Sequence, residues 1–261
     1  MPLDLLSGGD LRPLGRLVQS SNNAVLMEVG SGADRVLAIH KPIAFERPLW
    51  DYPDGHLAHR ERAAYLISEA GDFATVPPTV LRDGPWGPGS LQLWIGDPAE
   101  EVDLAVTVCA PGEAPEGWLV VLTAEDEDGE EVVLAHSSDS GVRTAAVLDA
   151  VLNNSDRKGG HLAVVAHGVR GFDHGVSLGV EPKLRTVLWG WTDEPLLEAD
   201  LDRVRHTLAA LEDDGPLRAD LADLLTAAEI DALQRRCRRL LSVGRHPRPA
   251  PDWPAIPWPA M

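Results

Sequence analysis

The sequence predicts an α+β protein in two lobes. A small β-rich N-lobe is expected over residues 1–96 and a larger, mostly helical C-lobe over 97–246, followed by a Pro/Trp-rich tail at 247–261. Three observations carry this expectation. Short apolar runs broken by turn residues crowd the first hundred positions. Helix-like patterns fill Leu196–Leu211 and Pro216–Leu241. Between them, Ala150–Gly175 (AVLNNSDRKGGHLAVVAHGVRGFDHG) has a helix-like lead-in, an acid after a polar turn, a strand-like run and a second acid before a glycine.

The totals bound the problem. A chain of 261 residues with 44% hydrophobic and 25% charged residues can bury a sizeable core. No run of about 18 apolar residues is present, so no transmembrane helix is expected. The first residues, MPLDLLSGGDLRPLG, lack the pattern of a signal peptide. The two cysteines, Cys109 and Cys237, have no metal-like spacing and make no disulfide framework, so a reducing cytoplasm is the expected compartment. A formal net charge of −18 disfavours nucleic acid and anionic lipid as general partners, although Arg235, Arg236, Arg238 and Arg239 form a local basic cluster.

Taken in order, LGRLVQ and AVLMEVG read as two strands around the polar turn SSNN, either a plain hairpin or one that covers phosphates. The run Arg35–Pro42 reads as a strand with Lys41 at its end, placed to reach into a cleft or to lie on an edge. His56–Ala70 is an expected amphipathic helix carrying Glu61, a candidate partner for Lys41. Glu61 pairing with a surface arginine is the alternative. The prolines of Val76–Leu81 suggest a short edge strand. The run Ser90–Ile95 completes a small sheet and enters the lobe connection, placing Gln92, Trp94 and Ile95 beside a nucleobase edge.

Beyond the boundary, Val102–Val108 is undecided between helix and strand. Trp118–Ala124 and Glu131–Ala135 are strand-like, joined at Asp128-Gly129 by the acidic turn EDEDGEE, which lacks calcium-loop spacing. Val142–Leu152 is an expected helix. Thr226 and Glu229 form an expected capping box opening the last helix, and the arginines near that helix's end suit its C-terminal dipole. The proline-rich tail cannot continue a helix.

Asp156 precedes His161 by five positions, and Asp173 follows a strand-like run. Phosphoryl transfer requires charge neutralised around phosphates and a hydroxyl held in line. Protein kinases arrange this as a strand lysine, a helix glutamate, a loop acid with a metal ligand five residues on, and a metal-binding acid before glycine. Lys41, Glu61, Asp156, His161 and Asp173 occur in that order. Lys41 and Glu61 are expected on the nucleotide phosphates, Asp156 beside the acceptor, and His161 with Asp173 on a divalent metal. A metal hydrolase built from His136, His161, His167 and His174 with the two aspartates is a rival, lacking any H-E-x-x-H or H-x-H pattern. A nucleotide-binding scaffold without phosphotransfer is another.

The segments HKPIAFERPLWDYPDGHLAHRERAAYLISEA, NNSDRKGGH, FDHG and KLRTVLWGW resemble an actinobacterial family of phosphatidylinositol 3-/4-kinase-like proteins. The resemblance runs roughly from Leu11 to Leu241, and its specific part is the block from NNSDRKGGH to DHG. It implies a two-lobed protein-kinase-like fold that binds ATP with Mg²⁺ or Mn²⁺. Asp156-Arg157 matches the lipid-kinase D-R pair and Asp173 the metal-binding acid. Two departures stand out. His161 replaces the usual asparagine, and neutral imidazole favours softer metals than Mg²⁺. His174 stands where an apolar packing anchor or an asparagine is common. A protein or small-molecule hydroxyl is the expected acceptor, because the chain is acidic and shows no membrane anchor.

Overall fold

The computed structural model describes residues 2–17, 24–32, 34–96, 103–166, 168–212 and 215–261. A short helix, α1 (Pro2–Gly8), precedes strands β1 (Leu11–Arg16), β2 (Val25–Ser31) and β3 (Asp34–Pro42). Helix α2 (Leu57–Ala70) then leads to β4 (Thr79–Gly84) and β5 (Gly87–Leu93). All five strands form one antiparallel sheet in the order β1-β2-β3-β5-β4. The expected edge position of the proline-preceded strand is observed, with β4 at the rim. The turn at Ser20–Asn23 lies outside the described residues.

Alternation sets this sheet's inner face. Val25, Met27 and Val29 point inward on β2 and meet Ala38, Val80 and Leu91. Leu6 of α1 closes the cluster, a helix the sequence reading did not anticipate. Gly89 pairs with Pro42, and a Cβ at Gly89 would collide with the Lys41 carbonyl oxygen. Only glycine lets β5 lie this close to the end of β3, where Lys41 sits.

A three-stranded sheet follows, β6 (Val106–Cys109), β7 (Leu119–Glu125) and β8 (Glu131–His136), in the order β6-β8-β7. The undecided run near Val108 is therefore a strand, and the acidic turn between β7 and β8 is exposed. Helix α3 (Ser140–Leu152) leads into a two-stranded hairpin of β9 (Leu162–Val165) and β10 (Gly168–Gly171). Helices α4 (Glu198–Ala210), α5 (Pro216–Ala222) and α6 (Ala227–Val243) complete the elements. The helical pattern over Pro216–Leu241 resolves into two helices, the last opening at the expected Thr226 cap.

Helices α2, α3, α4 and α6 share the main core, which includes Ile67, Leu148, Leu152, Leu211 and Leu233. Helix α2 is not simply amphipathic. Its buried residues lie around much of its circumference and include Arg60 and Glu61. Arg60 donates to the Ser177 carbonyl at 2.9 Å and pairs with Glu229 of α6. Glu229 also accepts from the Thr226 backbone N–H at 2.9 Å, so the expected capping box is also an anchor for α2. The arginine cluster near the end of α6 is only partly surface helix chemistry. Arg236 turns inward to the Val151 and Gly179 carbonyls at 2.9 and 3.1 Å, and burial pushes it down to about 10.

These contacts separate two acids of the same helix. Glu229→Ala strands the buried Arg60 charge and removes a cap, which is expected to cost about 3–5 kcal/mol. Asp231 pairs with Arg218 at the surface, 3.4 Å apart, and Asp231→Ala should cost less than about 1 kcal/mol. Urea denaturation of both variants checks the contrast, and equal losses would contradict it.

Candidate functional site

The Lys41 side chain leaves the end of β3 and meets two acids from distant elements. It pairs with Glu61 of α2 and with Asp173, whose Oδ1 is 2.6 Å from Nζ. The other oxygen of Glu61 accepts from the His174 backbone N–H at 3.0 Å. Glu61 thus fixes both the lysine and the turn that carries Asp173. Burial alone would depress the Lys41 ammonium, but Asp173 and Glu61 outweigh it and raise the pKa. Burial likewise pushes Asp173 upward, and Lys41 outweighs it, holding the carboxyl below its ordinary range. Glu61 is raised by its burial, against the pull of Lys41. Asp173 has φ +59, a left-handed conformation uncommon for a side-chain-bearing residue.

On the far side of Asp173, His161 Nε2 lies 3.4 Å from Oδ2. The His161 Nδ1 sits 3.1 Å from the Asp156 carbonyl oxygen, which can only accept. That contact assigns the proton to Nδ1 and leaves a lone pair on Nε2 aimed at the carboxylate. Burial pushes His161 down to about 4, in keeping with a neutral ring. A lone pair and a carboxylate oxygen facing each other form a donor set for a cation. Among the described residues no group of three or more His, Cys, Asp and Glu gathers as a metal site, so protein would supply two ligands and other oxygens the rest.

Asp156 is held by the loop rather than by the cluster. Its N–H donates to the Asn154 side chain at 3.0 Å, and its carboxylate lies 3.3 Å from Lys158 Nζ. Burial raises its pKa. The neighbouring Ser155 hydroxyl contacts the Tyr52 hydroxyl at 2.7 Å.

Beneath both acids lies a pair that sequence reading missed. Arg157 is fully buried and donates through Nε and Nη2 to Asp149 of α3, each at 2.9 Å. Its Nη1 reaches the His161 and Phe172 carbonyls at 3.1 and 3.0 Å. Its Nη2 is also 2.6 Å from His174 Nε2. His174 therefore does not forfeit an anchor; it is a buried polar anchor, kept neutral by burial and by Arg157. The available signal was Asp149 itself, a lone acid in the apolar run AAVLDAVL.

The segment from Gln92 to Gly96 is tied to the five-stranded sheet. The Gln92 amide donates to the Thr79 hydroxyl at 2.8 Å, and the Trp94 backbone N–H donates to the Leu37 carbonyl at 2.9 Å. Both groups are engaged within the sheet, leaving Ile95 and Gly96 at its open end. The histidines of the hydrolase reading do not converge. His136 Nε2 accepts from Gly190 at 3.0 Å and its ring packs on Trp191, His174 is sealed under Arg157, and His167 lies outside the described residues.

An α+β protein with a buried lysine–carboxylate cluster where β3, α2 and the turn after β10 meet is the class these features define. The chain belongs to the family of Protein Rv2133c of Mycobacterium tuberculosis, with which it is 45% identical over 265 residues covering 98% of this chain and 94% of that protein. No protein-family profile matches the chain. The crystal structure of the Golgi casein kinase aligns over 93% of this chain and 73% of its own at 13% identity and a TM-score of 0.48, a likeness too distant to carry an argument.

Two outcomes follow from the geometry. Asp149→Ala leaves a buried guanidinium without its counter-charge and should cost about 3–5 kcal/mol in denaturant unfolding. The buried histidines set the acid limit. His161 and His246 are pushed down to about 4 by burial, and His40, His136 and His174 shift the same way. Below about pH 6.5 the unfolded chain takes up protons that the folded chain refuses, so stability falls as pH drops from about 6.5 toward 4. Melting temperatures that stay flat from pH 7 to 5 would contradict this.

Proposed function

We propose that this protein is an ATP- and divalent-metal-dependent phosphotransferase, an atypical kinase acting on a protein or small-molecule hydroxyl. One observation carries the reading. Lys41, Glu61 and Asp173 come from β3, α2 and the turn after β10, and they meet as a single charge cluster flanked by His161. A structural ion pair needs one partner; a lysine held between two carboxylates is poised to exchange one of them for phosphate oxygens.

In this reading Lys41 binds the α- and β-phosphates, oriented by Glu61, and the base lies against Ile95 and Gly96. His161 and Asp173 would hold the divalent cation, which neutralises charge on the phosphates when bound. Asp156 accepts the proton of the acceptor hydroxyl as its oxygen bonds to the γ-phosphorus and the bond to the β-phosphate oxygen breaks. The raised pKa of Asp156 suits that role. No helix among the described residues is long and apolar enough to cross a membrane. A cytoplasmic location and the resemblance to phosphatidylinositol 3-/4-kinase-like proteins belong to this same proposal.

The variants separate by role. Lys41→Ala should weaken ATP binding in calorimetry, and Asp173→Ala should abolish its metal dependence. Asp156→Ala should leave binding near wild type and lower turnover by about 10²–10⁴-fold. His161→Asn should move metal preference from Mn²⁺ toward Mg²⁺. Wild-type protein that binds nucleotide but turns it over with no metal would support the scaffold instead. Turnover surviving both aspartate substitutions would place the chemistry elsewhere.

A further inference from the structure

Beside β10 lies a half-open groove of about 280 Å³. It is formed by the loop after α2, the first turns of α3 and α4, and β10. Three guanidinium groups line it, from Arg143, Arg170 and Arg203, against one carboxylate, Asp200.

The charged groups are incompletely matched. Arg203 donates to Asp200 Oδ1 and to the Asp72 carbonyl, each at 3.3 Å, and Arg170 donates to the Ala74 carbonyl. Arg143 gives its two terminal nitrogens to Glu194 and to the Pro195 carbonyl at 3.2 and 2.7 Å. Its Nε and Asp200 Oδ2 face each other at 3.9 Å, beyond hydrogen-bond range, and both atoms are buried without a hydrogen-bond partner. The Asp200 side chain is only 3% exposed. A buried carboxylate oxygen lacking a donor is costly, and it asks for one from a third party.

Apolar Phe73, Val169 and Leu197 also line it, beside the hydroxyl side chains of Thr75, Ser140 and Thr144. A bare inorganic anion would satisfy the arginines and leave both these apolar side chains and Asp200 Oδ2 unused. We infer that this groove is a binding site for a free apolar α-amino acid, its carboxylate on Arg170 and Arg203, its ammonium on Asp200 and its side chain against Phe73, Val169 and Leu197. Each group of such a ligand meets a complementary group on the lining.

Two segments that line the groove continue in sequence into elements that carry the Lys41 cluster. Arg170 lies in β10, three residues before Asp173, and the Gly171 N–H donates to the Thr75 carbonyl at 2.9 Å. The lining loop continues directly from α2, which carries Glu61. Asp72 and Ala74, whose carbonyls the arginines hold, are both left-handed, with φ +55 and +51.

Isothermal calorimetry of the full chain without nucleotide tests the site, whatever chemistry the cleft performs. L-Leucine should bind saturably, and 4-methylpentanoate, which lacks the ammonium, should bind about tenfold or more weakly. Asp200→Asn should erase that difference while retaining the carboxylate's affinity. Arg203→Met, at a partly exposed position, should weaken both ligands by about tenfold or more while circular dichroism stays unchanged. No saturable binding of leucine or of phenylalanine, or binding indifferent to Asp200→Asn and Arg203→Met, overturns the inference.

Discussion

The arrangement of the site rests on one buried arginine. Arg157 sits at zero exposure and joins α3, the loop bearing Asp156 and His161, and the turn bearing Asp173. A lysine in its place would offer one compact charge and three donors; the planar guanidinium offers five donors in fixed directions, which the geometry uses on four different residues. Asp149 makes that burial tolerable, and Asp149 is in turn held by the Asn154 amide at 3.0 Å. The polar turn Asn153–Ser155 is thus part of the support. Asn153 ends α3 in a left-handed conformation and its amide reaches the Gly179 carbonyl at 3.2 Å.

With the loop fixed from below, the upper cluster needs no further scaffolding to meet. Lys41 is set by the β3–β5 pairing, and Glu61 by a helix whose other buried charge, Arg60, is tied to α6. Two buried ion networks therefore lie on either side of α2, one local to the site and one structural. Their difference is completeness. Arg60 has carbonyls and Glu229 around it, whereas the Lys41 cluster keeps its second acid, Asp173, partly exposed. A protein of net charge −18 has no shortage of carboxylates, and this cluster keeps that balance by setting two acids around one lysine.

Much of this was legible in the sequence, and the parts that were not share a cause. Strands β2, β3, β7 and β8 and helices α2, α3 and α6 announced themselves through periodicity and caps, which are local properties. The pairing of Lys41 with Glu61 followed from the order of motifs, because both residues carry the same chemistry wherever the pattern recurs. Asp149, Arg236 and Tyr52 were invisible because their roles depend on partners 8, 85 and 103 positions away. Helix α1 was missed for a different reason: seven residues with a single buried leucine give no periodicity to read. Residues 97–246, expected to be mostly helical, also carry a three-stranded sheet, since short apolar runs look alike in strand and helix.

The tail shows how composition can name a role without revealing its place. A proline has no N–H, so a proline-rich strap presents mostly acceptors. The body offers donors along the strap's path. Arg185 donates to the Pro254 and Ile256 carbonyls at 3.1 Å, Thr186 N–H and the Trp189 indole to Ala255 at 3.1 and 2.9 Å, and Gly159 N–H to Ala260 at 2.8 Å. Ile256 and Ala260 pack against the core shared by β6, α3 and Trp191. A Cβ at Gly159 would lie 2.6 Å from the Met261 sulfur, so a side chain there would displace the Met261 side chain. Backbone donors of the segment after Asp156 would otherwise face water or remain unpaired. The strap therefore belongs to the same hydrogen-bond accounting that begins at Arg157: donors below the loop are met by α3, and donors beside it by residues 254–261.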